Sequence, residues 1–194
     1  MNGRLIYVVG PSGAGKDSVL DYARGHLPGG TTAVFARRTI TRPATAGGEN
    51  HIAVTDRQFE ALQRAGAFAL HWEANGLRYG VRTEIRDWLA AGLTVVVNGS
   101  RGYLPTARTA FPQLEAVLVT ASPEVIRARL TSRGRETPAA VEARLARSVR
   151  LQATDGVSMT EIRNDGELHQ AGKALLALLS KRGKPRSSTA PSLR

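Results

Sequence analysis

Gly10-Pro11-Ser12-Gly13-Ala14-Gly15-Lys16 follows the apolar run Arg4–Val9 (RLIYVV) and precedes a helix-forming stretch. The spacing G-x-x-x-x-G-K between a strand buried on both faces and a helix is the pattern of a phosphate-binding loop. Glycine lets the backbone wrap so that successive N–H groups turn inward toward phosphate oxygens. The helix N-terminus adds its dipole, and the lysine reaches the terminal phosphates. Gly10, Pro11, Ser12, Gly13, Ala14, Gly15, Lys16, Asp17 and Ser18 are therefore the expected cradle for the phosphates of a nucleotide such as ATP, with Lys16 on the transferring group.

One letter departs from the pattern. A Ser or Thr is expected directly after the lysine to hold Mg²⁺; this chain has Asp17, then Ser18. A second metal-organising carboxylate is expected where a later apolar strand ends. The run Leu93–Val97 ends instead in Asn98-Gly99-Ser100-Arg101. A carboxylate is a good hard-oxygen ligand, so Asp17 is expected to supply the metal group that the strand end lacks. The alternative is that Asp17 only favours the start of its helix, where acids are stabilising.

The remaining pattern alternates strands and helices. Ala33–Ala36, Leu93–Val97 and Ala116–Val119 are short buried runs. Helix starts are marked by Thr55-x-x-Gln58 (a capping box), Ser122-Pro123-Glu124 and Thr137-Pro138. A first helix from Asp17 to about His26 places Val19, Leu20, Ala23 and Leu27 toward the core, and a last one places Leu168, Ala171, Leu175 and Leu178 on one face. Such alternation predicts an α/β fold with a parallel sheet and right-handed crossovers. Residues 38–80, glycine-rich and polar, break the rhythm and are expected to form a small inserted lobe.

At 194 residues the chain suits a single domain over residues 1–180. With no cysteine it has no thiol nucleophile, thiolate metal site or disulfide. No apolar run approaches the roughly 20 residues of a membrane span, and a cytoplasmic protein is expected. The net charge is +11, and four of the 27 basic residues are lysine, the rest arginine. Residues 181–194, rich in Ser and basic side chains, are expected to be a solvated, disordered tail. A basic body calls for an anionic partner. Aromatic residues are not interleaved with the charge, so phosphorylated small molecules are expected rather than nucleic acid or a membrane.

The motifs GPSGAGK, Thr41-Arg42-Pro43 with nearby Gly48-Glu49, Trp72-x-x-x-Gly76-x-x-Tyr79-Gly80, Arg129-Leu130-x-x-Arg133-Gly134-x-Glu136 and Asn164-Asp165, in that order, resemble the guanylate kinase family. The resemblance spans most of residues 4–180. It implies a P-loop nucleoside-monophosphate-kinase-like three-layer fold, with a five-stranded parallel core sheet. It also implies an acceptor lobe near 38–80 and a lid near 129–147, where Arg133 and Arg144 match lid positions and are expected to be catalytic. Arg42 and Tyr79 resemble ligands of the acceptor phosphate.

The base-reading groups of that family do not match. His71 stands where a glutamate reads guanine, Val81 where a hydroxyl follows Tyr-Gly, and Asn98 at the acidic strand end. Arg38 occupies the place of a small hydroxyl residue. Loss of a charge-assisted acceptor to a base forfeits about 1.5–3 kcal/mol. The segments GPSGAGKDS (10–18), RTITRP (38–43), GGENH (47–51) and NGSR (98–101) resemble a related group, the ribose 1,5-bisphosphate phosphokinases of phosphonate breakdown. That resemblance implies ATP with Mg²⁺ and a sugar-bisphosphate acceptor held by Arg38, Arg42, Glu49, His71, Tyr79 and Asn98. The alternatives are guanylate kinase itself and a non-catalytic binding domain of the same fold.

Overall fold

A computed structural model of the chain describes residues 3–46, 49–132, 137, 139, 141–143, 145–146 and 158–180. The first half comprises β1 (Arg4–Val9), α1 (Lys16–Gly25), β2 (Ala33–Phe35), β3 (Arg38–Ile40), β4 (Ile52–Ala53), α2 (Asp56–Arg64), β5 (Phe68–Ala74) and β6 (Leu77–Arg82). The second half comprises α3 (Glu84–Ala90), β7 (Thr94–Asn98), α4 (Leu104–Ala110), β8 (Glu115–Thr120), α5 (Pro123–Ser132), β9 (Thr160–Arg163) and α6 (Leu168–Leu179).

The main sheet has the order β2-β7-β1-β8-β9 and is parallel throughout. Its central strands are apolar on both faces because helices cover both. On one side Ile6, Val8, Val96, Val117 and Val119 pack with Val19, Leu20 and Ala23 of α1 and Ala171, Leu175 and Leu179 of α6. On the other, Leu5, Tyr7, Val95, Val97 and Ala116 pack with Ile85 of α3 and Leu104 and Ala107 of α4. This is the three-layer α/β arrangement with a five-stranded parallel core expected from the motif order.

A second sheet, β4-β3-β6-β5, is built from residues 38–82. Its hairpin β5–β6 turns at Asn75-Gly76, both at positive φ, as a tight hairpin requires. Leu70, Trp72 and Val81 join the same core cluster as Tyr7 and Val97, so the lobe is anchored to the main sheet by burial. Phe59 of α2, 2% exposed, closes the other side against Phe68. The Thr55–Gln58 capping box is present at the start of α2.

Two details differ from the sequence pattern. β9 carries a single buried residue, Ile162, and too little apolar signal to mark it as a strand. In α6 the buried face is Ala171, Gly172, Leu175 and Leu179, whereas Leu168 is 38% exposed and Leu178 only partly buried. Gly172 is part of that face because the Tyr22 ring of α1 lies where its Cβ would stand. The segment from Arg133 through Arg144 to 147, apart from a few helical positions, lies outside the described residues, as does the tail at 181–194.

The α1–α6 contact yields a test. Gly172→Ala gains about 1 kcal/mol of helix propensity but overpacks the Tyr22 ring, at a cost of about 1–3 kcal/mol. Tyr22 is itself stacked on His26 at 4.0 Å, which resists its swinging aside. A lowered thermal midpoint is expected for the variant; a raised midpoint would mean that Tyr22 moves clear and that the two helices are not close-packed here.

Candidate functional site

The register of the main sheet sets the site. Val8 of β1 pairs with Asn98 of β7, so the loop after β1 and the loop after β7 leave the sheet side by side. Ligands of open α/β sheets bind at such carboxyl ends. The first of these loops is the phosphate loop. Gly13 and Gly15 both adopt positive φ, and a Cβ on Gly15 would collide with the Asn164 amide. Asn164, 3% exposed, donates from Nδ2 to the Ala14 carbonyl at 2.7 Å, and Arg129 Nη1 donates to the same oxygen at 3.3 Å. The Ala14 carbonyl is thus held by two donors, and the Ala14 N–H is taken up by the Pro11 carbonyl at 3.3 Å within the loop.

That cleft has a volume of about 380 Å³. Gly10–Gly13 and Gly15–Ser18 line it on the core side, and Arg38, Trp72, Ala74, Asn75 and Tyr79 on the lobe side. Gly99–Gly102, from the loop after β7, complete the wall. Ala14 is fully buried and serves the loop's shape instead.

Between the two sides runs a chain of polar contacts centred on Asn98, which is 7% exposed. Its Oδ1 accepts from Lys16 Nζ at 2.5 Å. Its Nδ2 donates to Asp17 Oδ1 at 2.9 Å and to Glu49 Oε2 at 2.8 Å. Glu49 in turn receives Arg38 through Nε at 3.0 Å and through Nη2 in a fork geometry. Two cations and two carboxylates are thus joined through one neutral amide. The amide orientation is dictated by its neighbours, since only the oxygen suits the ammonium and only the nitrogen suits two carboxylates.

Burial pushes the Lys16 ammonium below its ordinary range, and the Asp17 carboxylate offsets only part of that effect. For Asp17 burial acts upward, yet Lys16, Arg38 and the Asn98 amide together outweigh it and hold the carboxyl below the usual carboxylate range. The Asp17 side chain remains half exposed at the cleft. A hard oxygen donor in that place fits Mg²⁺.

The other expected site residues fall in different places. Tyr79 lies in the cleft, stacked on Trp72 at 5.5 Å, with the Arg38 guanidinium 4.9 Å above its ring. Arg42 is not among the cleft-lining residues. His51 Nε2 lies 3.1 Å from the Arg42 carbonyl, and its Nδ1 lies 3.0 Å from the Glu49 carbonyl and 3.3 Å from Arg42 Nη2, an arrangement that ties the arginine to its own loop. His71 is exposed, on the face of β5 opposite Leu70 and Trp72 and beside Phe68. Strand alternation turns Trp72 rather than His71 toward the cleft. Arg133 and Arg144 lie outside the described residues. Trp72, quoted only as a motif letter, and Ser100 and Arg101, quoted only within the run NGSR, line the cleft without having been named as site residues.

Asn98→Ala tests the polar chain. It strands Lys16 and Asp17 without their shared amide, and an expected loss of about 1–3 kcal/mol of stability follows at neutral pH. Asp17, with its folded pKa depressed, contributes stability above the ordinary carboxylate range and loses it as pH falls through the folded value. The deficit of the variant should therefore shrink as pH falls below the ordinary carboxylate range and through the depressed folded value. Denaturant melts at neutral and acid pH measure this; an equal deficit at both would separate Asp17 from Asn98.

No protein-family model matches the chain. Among curated proteins, the ribose 1,5-bisphosphate phosphokinase PhnN of Thiobacillus denitrificans is 52% identical over 178 residues, covering 92% of this chain and 93% of its own. The protein of the same name from Burkholderia pseudomallei is 53% identical over 176 residues, covering 91% and 95%. That from Azotobacter vinelandii is 50% identical over 184 residues, covering 94% and 98%. Among solved structures, guanylate kinase from Anaplasma phagocytophilum superposes with a TM-score of 0.71 at 17% identity, covering 94% of this chain and 88% of its own. The latter shares the fold. Half-identity over nearly the whole of both chains says more: this chain belongs to the ribose 1,5-bisphosphate phosphokinase family.

Proposed function

We propose that the chain transfers the γ-phosphoryl group of ATP to the 1-phosphate of ribose 1,5-bisphosphate, giving 5-phosphoribosyl 1-diphosphate and ADP. The observation that carries this reading is the 52% identity to a named phosphokinase over 92% of the chain. The cleft supports it. Lys16 and the phosphate loop stand on one side, Arg38 on its aromatic bed of Tyr79 and Trp72 on the other.

In the step itself an oxygen of the 1-phosphate forms a bond to the γ-phosphorus while the bond from that phosphorus to the β-phosphate oxygen breaks, and ADP leaves with the electron pair. The attacking oxygen is already ionised, so the reaction needs no general base; catalysis is positioning and charge neutralisation. Lys16 turns from Asn98 to the terminal phosphates of ATP, and Arg38 is drawn from Glu49 to the acceptor. Asp17 would hold Mg²⁺, which when bound neutralises charge on the β- and γ-phosphates. Arg133 and Arg144 would close over the transferring group as lid residues.

Val81 is apolar and fully buried and His71 is exposed outside the cleft lining, so neither position expected to read guanine offers it a polar partner, and a site without those readers favours acceptors without the base. A coupled assay offering ribose 1,5-bisphosphate and GMP side by side should show turnover of the first and little or none of the second. Lys16→Ala should abolish transfer while leaving the thermal midpoint near that of the parent. Efficient GMP phosphorylation with no turnover of the bisphosphate would restore guanylate kinase as the activity. A second assay concerns the metal: Asp17→Asn should raise the Mg²⁺ concentration needed for half-maximal rate much more than it weakens metal-free nucleotide binding. An unchanged Mg²⁺ curve would leave Asp17 as a helix-start residue.

A further inference from the structure

The loop after β7 lines the cleft through Gly99, Ser100, Arg101 and Gly102, and most of it has little to offer a ligand. The two glycines bring no side chain, and the three guanidinium nitrogens of Arg101 are each shut off from solvent. The backbone of Ser100 is committed as well. Tyr7, fully buried in β1, receives the Ser100 N–H at its hydroxyl at 3.0 Å and donates to the Ser100 carbonyl at 3.3 Å. Burial pushes the Tyr7 phenol up to about 12, so it keeps the proton it donates at neutral pH. Gly99 lies against the same ring, with no room for a Cβ. The loop is therefore pinned on its inner side, and what Ser100 turns to the cleft is its side chain.

Among the described residues the Ser100 hydroxyl makes no hydrogen bond, and it is not closed off from solvent. Asn98, on the same loop, reaches Lys16 on one side and Glu49, the partner of Arg38, on the other. The loop that continues from it thus runs between Lys16 and Arg38. Anionic phosphates are drawn to those cations. What lies between the phosphates of a sugar bisphosphate is the ring with its hydroxyls. A sugar hydroxyl both donates and accepts, and a serine hydroxyl does the same. A site that gives a substrate hydroxyl its hydrogen-bond partner rejects the analogue that lacks it.

We propose that Ser100 is the residue that reads the sugar. Its hydroxyl, set in place by the Tyr7 clamp on its backbone, exchanges hydrogen bonds with a ring hydroxyl of the acceptor, so that the site distinguishes a ribose from a deoxyribose bisphosphate. This rests on the phosphokinase reading above. It adds to that reading a preference for the part of the acceptor that lies between the phosphates.

The test compares wild type, Ser100→Ala and Ser100→Cys on ribose 1,5-bisphosphate and on its 2-deoxy and 3-deoxy analogues, with thermal midpoints measured alongside. In wild type, kcat/KM should be lower for at least one of the analogues by about tenfold, the scale of one well-made hydrogen bond. Ser100→Ala should lose about tenfold on ribose 1,5-bisphosphate and stay within about twofold of wild type on that analogue, so that the two losses do not add. Ser100→Cys, which keeps the volume but little of the hydrogen bonding, should behave as the alanine variant does. Neither the Tyr7 bonds nor the packing of Gly99 uses the Ser100 side chain, so both variants should melt near wild type. If the alanine variant does not fold, the cysteine variant decides. A wild type that treats all three acceptors alike, an equal loss on all three in a variant, or unchanged kcat/KM for ribose 1,5-bisphosphate in a variant would overturn the proposal. A wild-type protein inactive on ribose 1,5-bisphosphate would sink the phosphokinase reading itself, a result distinct from these.

Discussion

An amide at the end of β7 lets four charges share one small space. Asn98 accepts from Lys16 and donates to both Asp17 and Glu49, and Glu49 holds Arg38. A carboxylate at position 98 could accept from the lysine but would face two further carboxylates with nothing to donate. Asp17 in the phosphate loop and Asn98 at the strand end are therefore coupled: the loop carries the carboxylate, and the strand supplies the neutral partner that makes this tolerable. The ligand-free cleft is close to electrically neutral at this point. Under the proposed phosphokinase reading, phosphorylated substrates would find cations already in place, each held by a carboxylate partner.

The fold delivers that arrangement through register and burial. Parallel pairing of β1 with β7 sets the phosphate loop beside the Asn98 loop, and Tyr7 pins the second loop through its hydroxyl. The lobe is brought to the cleft because Leu70, Trp72 and Val81 are buried with the main sheet's own residues. Trp72 stacks on Tyr79 and, at 5.5 Å, on Tyr103 of the segment leading into α4, so aromatic packing spans lobe and core. Among the described residues no helix is long and apolar enough to cross a membrane.

The loop between β1 and α1 was legible because a phosphate-binding pattern demands fixed residue types at fixed spacing between a strand and a helix, though the pattern did not tell that Ala14 is buried behind the cleft. The parallel sheet was legible from its long apolar runs, and the caps of α2 and α5 from their side-chain hydroxyls. β9 was not, since an edge strand with one buried residue carries almost no periodic signal. Side-chain direction in the lobe was also hidden. His71 matched a motif position, but which face of β5 it occupies depends on a register irregularity between Phe68 and Leu70, and a one-residue shift exchanges faces. Arg42 matched an acceptor ligand, yet its loop folds it onto His51. Arg101 sat inside a recognised run and drew no attention because nothing in a linear pattern says that an arginine after a strand is buried beside a phosphate loop.

In the proposed reaction a sugar bisphosphate enters with its 1-phosphate toward Lys16 and its other phosphate toward Arg38. Phosphorus NMR of the protein with ATP, Mg²⁺ and ribose 1,5-bisphosphate follows both acceptor phosphates separately. The expected result is that the 1-phosphate signal gives way to a pair of coupled diphosphate signals while the 5-phosphate signal persists as a monophosphate. Conversion of the 5-phosphate signal, with the 1-phosphate left intact, would contradict that orientation and the role given to Arg38.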